Sequence, residues 1–287
     1  MIKTISTFLL FVLVLQSQAQ QYDIAEIEGD CLGWFNDFRS EDDALKAESA
    51  DKLENELAAF FQLSENFNHS FDTLSFLGQL TSEDEKLRLI TFNYPLTDGT
   101  YKYHCILLHR LNESNINVVR LKDQQTDWDR LSFQTLNPDE WYGALYYKIL
   151  VNRYKKNTYY TLIGWDGNNS RSNRKVVDVL DLSGTQPRFG APIFEKDGQS
   201  QHRLIFEYAN DANMALNFQE DEKLIVMDHL APEHPRLKGQ FQFYGPDFSY
   251  DALKFKKGKW IFIEDHNAEN RSLNGLKKDQ KPGDFKD

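Results

Sequence analysis

The chain has 287 residues, 40% of them hydrophobic, and carries 33 Lys and Arg against 44 Asp and Glu for a formal charge of -11. That acidic balance repels phosphate backbones and anionic headgroups, and no Lys- or Arg-rich run offsets it locally, which argues against nucleic acid and membrane surfaces as partners. No apolar stretch after residue 19 approaches the ~20 residues of a membrane span, so no membrane-spanning segment is expected.

In chain order, the first feature is a leader. Lys3 supplies a positive start, Phe8 to Leu15 an apolar run, and Ser17-Gln18-Ala19 a small-residue cleavage site, the pattern of a secretory signal peptide over residues 1–19. Export to the periplasm or the extracellular space follows as the expectation. The chain has two cysteines, Cys31 and Cys105. A bridge between them would close a loop of roughly 75 residues and contribute about 4 kcal/mol in the chain-entropy account. The alternative is two unpaired thiols, with Cys105 buried on a strand as a small hydrophobe.

Residues 20–86 form a helical N-terminal region. Ser40 and Asp43 resemble a capping box, and Leu45, Leu53, Leu57, Phe60 and Phe61 recur at helical spacing, which predicts a helix over 42–63. Its other face, with Glu48, Asp51, Lys52, Glu54 and Asn55, is expected to be solvated. A weaker helical pattern runs through Phe67, Phe71, Leu74 and Leu77.

From residue 87 the apolar period shortens to two, and residues 87–269 are expected to form an antiparallel β-rich domain. Leu87 to Tyr94, the turn Thr97-Asp98-Gly99 and Tyr101 to Leu108 form a hairpin pattern. Further strands are expected at 116–121, 143–151, 157–165, 174–182, 202–209, 213–219, 223–229, 240–244, 250–255 and 259–264. Turn chemistry separates them at Asp166-Gly167-Asn168-Asn169, Ser183-Gly184, Asp197-Gly198, Glu220-Asp221-Glu222 and Lys257-Gly258. Short connections favour antiparallel neighbours, because parallel pairs need long crossovers. The fold class is therefore α+β, predominantly antiparallel β meanders with N-terminal helices. An incomplete or distorted β-propeller is the alternative, suggested by the similar segments at 88–94, 161–167 and 203–209. Residues 270–287 are expected to be a flexible tail.

Catalytic signatures are scarce. The chain has no GxSxG, HExxH, Walker loop, GxGxxG or CxxC, and the S-x-x-K match of Ser172 with Lys175 enters a strand where the motif needs a helix. His229, Glu233 and His234 are weak metal candidates in a proline-interrupted loop, and no cofactor is implied. Asp166, Glu207, Asp228 and Asp247 are carboxylates that glycoside hydrolysis would need in pairs, although Asp166 has the composition of a hairpin turn. Aromatic residues make up 14% of the chain. Trp165 is expected in the core, whereas Trp141, Tyr244, Asp247 and Tyr250 are the candidate ligand-binding residues, with Tyr244-Gly245-Pro246-Asp247 shaping a pocket rim.

The segments TYYTLIGWDGNNSRSNRKVVDVL (158–180), GQFQFYGPDFSYDALKF (239–255) and WYGALYYKI (141–149) resemble secreted β-rich proteins of Gram-negative bacteria to which no activity is attached. The resemblance spans about residues 85–265. It implies export to the periplasm and a β-rich body, and assigns no catalytic residue. The leading expectation is a non-enzymatic envelope protein that binds a glycan, a peptide or another envelope protein, and the alternative is a periplasmic hydrolase acting on glycans.

Overall fold

A computed structural model describes residues 22–124 and 128–266. The expected leader at 1–19 and tail at 270–287 lie outside the described residues. Two helices lead the fold, α1 (Ile24–Asp37) and α2 (Asp43–Phe60). Each is capped by an aspartate whose carboxylate accepts two backbone N–H groups, Asp23 for α1 and Asp42 for α2. Ser40 does not cap α2, because its hydroxyl accepts from Asp42 N and sets up the turn before the helix.

The weaker helical pattern over 67–77 is not a helix. A single 3-10 turn at Ser64–Asn68 leads into turns, and the side-chain amide of Gln79 bonds both the N–H and the carbonyl of Phe71. That replaces the partners a helix would have supplied. Phe67, Phe71, Leu74 and Leu77 are buried nonetheless.

Three β-sheets follow. The first is β1 (Gly78–Thr81), β2 (Leu87–Pro95), β3 (Tyr101–Asn112) and β4 (Asn115–Lys122), paired in that order. The short helix α3 (Trp128–Leu131) and the loop to residue 144 lead to the second, whose main strands are β5 (Leu145–Tyr154), β6 (Asn157–Asn169) and β7 (Ser172–Asp181). Strand β8 (Arg188–Phe189) and, beyond β9 (Phe194–Lys196) and β10 (Gln199–Gln201), strand β11 (Leu204–Ala209) pair with β7, giving the order β11-β7-β6-β5. The third sheet adds β12 (Leu216–Gln219), β13 (Leu224–Pro232), β14 (Tyr244–Lys256) and β15 (Lys259–Ile263) in the order β10-β9-β15-β14-β13-β12. All strand pairings are antiparallel except β15 with β9.

Alternation along the strands builds the layers. On the first sheet Ile90, Phe92, Ile106 and Leu108 face the helices, where they meet Leu53, Leu57 and Phe60. Leu89, Tyr103, Cys105 and Leu107 face the second sheet and meet Tyr146, Leu162 and Val176. The second sheet's other side, with Ile163, Val177 and Leu204, packs on Leu216, Ile225, Leu253 and Trp260 of the third. The order is thus helices, first sheet, second sheet, third sheet. No core joins the third sheet to the helices among the described residues, so the stack does not close into a ring of blades.

Several expectations change in detail. Cys31 lies in the helix-facing core and Cys105 in the core on the other side of the first sheet, and both are free, so of the two alternatives the fold has the unpaired thiols, with the sheet itself between them. Asp166-Gly167-Asn168-Asn169 is not the hairpin turn. Strand β6 runs through it with a bulge, Asp166 is fully buried, and a Cβ on Gly167 would lie 2.5 Å from the Tyr101 ring. Segment 240–244 is a 3-10 turn at Phe241–Phe243 leading directly into β14, which also absorbs 250–255. Trp165 is half-buried rather than core, set edge-on to Tyr101 with ring centroids 5.8 Å apart. No helix among the described residues is long and apolar enough to cross a membrane.

Candidate functional site

Three sheet edges meet in one groove. The edge strands are β1 of the first sheet, β5 of the second and β12 of the third, and the cavity beside them has a volume of about 660 Å³. Six consecutive residues of β5, Tyr147 to Asn152, line it. Successive strand side chains point to opposite faces, so a continuous lining of this kind arises only where a strand turns its backbone edge toward the cavity. β5 is hydrogen-bonded to β6 along one side, and no strand pairs with its other side among the described residues.

The clefts on both sides of the second sheet open into this groove. Leu80, Ile149 and Val151 contribute apolar surface from the first cleft, and Leu150, Phe218, Phe255 and Trp260 from the second. Trp260 Nε1 donates to Thr161 Oγ1 at 2.9 Å, and Thr161 Oγ1 donates to Asn152 Oδ1 at 2.7 Å, fixing the polar end of the edge. At the mouth, Lys148 reaches Glu220 at 3.4 Å and Lys223 reaches the same carboxylate at 2.9 Å. The two lysines are balanced by Glu220 and by Glu83 of the same lining, and such exposed contacts contribute little, so an incoming chain separates them at small cost.

A second polar centre lies between the first and second sheets. Asp166 accepts hydrogen bonds from Tyr103 at 3.1 Å, Tyr142 at 3.0 Å and Asn168 N at 2.8 Å. Burial pushes its carboxyl above the usual carboxylate range, opposed by Asn168 N, Arg174 and the two tyrosines. Arg174 lies 3.7 Å from Asp166 and pairs with Glu207 at 2.9 Å, and Ser172 donates to Glu207 at 2.6 Å. Asp166 is sealed from solvent with its oxygens occupied, so it organises the centre and does not reach a substrate. The Arg174 and Glu207 end of the network opens into a smaller cavity.

The sequence-selected residues fall elsewhere. Trp141 is fully buried in the core between the first two sheets, where its Nε1 donates to Tyr146 at 3.0 Å, so it cannot touch a ligand. Tyr244, Asp247 and Tyr250 share strand β14, but none lines either cavity. Asp247 accepts from Ser249 N and Oγ, closing a local turn. His229 bonds Asp251 at 2.9 Å, His234 accepts from Arg236 N, and no group of three His, Cys, Asp or Glu side chains able to hold a metal occurs among the described residues. Ser172 and Lys175 sit on a strand, the serine bonded to Glu207 and the lysine over the Tyr147 ring.

Sequence reasoning missed the groove because edge status belongs to the order of strands in space. The one sequence signal was the mixed run LYYKILVNRY of β5, whose apolar residues break alternation as a strand lining two clefts requires. Among known proteins, no family model and no curated protein matches this chain, and no solved structure matches it.

Proposed function

We propose that this is an exported, non-enzymatic binding protein that captures an extended segment of another polypeptide by adding it as a strand to β5. The observation that carries this is the unbroken lining of the groove by Tyr147 to Asn152, an open strand edge about 20 Å long. A chain docked there gains main-chain hydrogen bonds, with side chains alternating into two apolar clefts for selectivity. Leu80, Ile149 and Val151 select on one side, and Phe218, Phe255 and Trp260 on the other. The neutralised mouth favours a segment of alternating apolar residues over one of strong charge.

The test pans the chain from residue 20 onward against a displayed library of random linear dodecapeptides. Enriched peptides should alternate apolar residues, and amide exchange in the complex should slow along Tyr147 to Asn152. Val151→Lys, which places a charge at the edge, should weaken binding about tenfold or more beyond the loss shown by Val151→Ala, which removes the same half-buried packing without the charge. Absence of enrichment, or protection confined to other strands, overturns the proposal.

A further inference from the structure

We propose a second binding site, for a single neutral sugar ring, in the cavity of about 290 Å³ lined by Ser132, Phe133, Arg174, Gln201, Glu207 and Phe241 with Ile205. It lies on the side of the second sheet formed by β7 and β11, away from the β5 edge, and shares no lining residue with the groove.

The cavity is a built one. Arg174 and Glu207 are held by the buried network behind them, since Ser172 and Asn168 bond Glu207 and Asp166 sits behind the guanidinium. The opposite wall is anchored by Arg203, fully buried and paired with Asp178 at 3.0 Å. The Arg203 guanidinium donates to the carbonyls of Leu131, Gln134 and Phe189, and His202 N donates to Ser132 O at 2.7 Å. The fully buried Arg203–Asp178 pair is expensive to desolvate, and together with the part-buried Arg174–Glu207 pair it fixes the walls of one small cavity.

Its chemistry selects the ligand class. Arg174 is paired with Glu207 and backed by the buried Asp166, so an anion finds no uncompensated positive charge there. What remains is a set of directional donors and acceptors, from guanidinium, carboxylate, the Gln201 amide and the Ser132 hydroxyl, suited to hydroxyl groups. Phe133 and Phe241 are 47% and 46% exposed, and they come from different loops at the lip. Exposed aromatic rings beside hydroxyl-binding groups match a pyranose, which has apolar C–H faces and a polar rim. The Phe241 turn packs directly on β11 and its end is tied by Glu233 N donating to Phe243 O at 3.0 Å, so the ring is presented by ordered backbone.

Saturation-transfer NMR with the methyl glycosides of glucose, galactose and N-acetylglucosamine tests this, with adenosine as the planar control. At least one glycoside should show transfer at its ring protons, Phe241→Ala should abolish it, and Glu207→Gln should weaken it about tenfold. Because Glu207→Gln disturbs a part-buried pair, the half-exposed Phe241 is the deciding variant, read with its thermal midpoint unchanged. An enriched dodecapeptide at the β5 groove should not displace the sugar. Transfer to none of the glycosides, equal transfer in Phe241→Ala, or binding of adenosine alone overturns the proposal, and none of these results bears on the groove.

Discussion

Single carboxylates set much of this molecule's response to pH. Asp123 is buried, accepts from Tyr103 N at 3.0 Å, and lies 3.7 Å from Lys102. Burial pushes its carboxyl up to about 6, with Lys102 and Tyr103 N only partly offsetting the loss of water. A folded-state value above the unfolded one means that the group stabilises the fold relative to neutral pH when protonated, and this contribution is lost as pH rises from about 4 through 6. The size follows from the shift, about 3 kcal/mol. Asp123→Asn should therefore flatten the stability curve over that window, measured by urea unfolding at pH 4.5 and pH 7.5. A wild-type slope retained in the variant contradicts the assignment. Asp166 teaches a related lesson. Its Asp-Gly-Asn-Asn context has turn composition, yet its carboxylate collects two tyrosines and a backbone N–H, because the bulge in β6 carries it inward. Nothing in the local sequence distinguishes an aspartate closing a turn from one gathering phenols 24 and 63 residues away.

At the scale of elements, α2 shows where periodicity succeeds and where it stops. Leu53, Leu57 and Phe60 are buried as their spacing predicts, and the helix spans Asp43–Phe60 within the expected range. Glu54, expected on the solvated face, is instead buried between His104 at 3.0 Å and Arg120 at 3.0 Å. Burial opposes its ionisation, but hydrogen bonds from His104 and Arg120 hold its carboxyl below the usual range. Such a group stabilises above its unfolded value, and that contribution is lost as pH falls. Glu54→Ala removes the shared acceptor of Arg120 and His104 at the sheet and should cost about 1–3 kcal/mol at pH 7. The difference from wild type should shrink below pH 4, which parallel denaturant melts would show; a deficit constant across pH would point to packing alone. The strands were largely legible, since alternation and turn residues mark β2, β3, β6, β7 and β13 to within a few positions. The short β1, β8, β9 and β10 were not, because two to four residues cannot display a period. The groove was illegible for a different reason, as it exists only once β1, β5 and β12 become neighbouring edges.

Across the whole molecule, each inner sheet buries both faces, so no layer has a complete core of its own. Loss of one layer exposes apolar surface on the next, and heat should therefore unfold the described body in one transition, with calorimetric and van't Hoff enthalpies in agreement. Two separate transitions would show that the helices and first sheet stand alone. The sheets also lie in space in the order in which the chain lays them down, with one exception. Strand β9 is made before β12, β13 and β14, yet its partner is β15, the last strand, along which it runs parallel. A polypeptide threaded N-terminus first can dock each meander on its predecessor, but Phe194 to Lys196 must wait for Trp260 and Ile261 to arrive. The final strand acts as a latch on the completed stack, and truncation shortly before residue 259 would strand a hairpin made some sixty residues earlier.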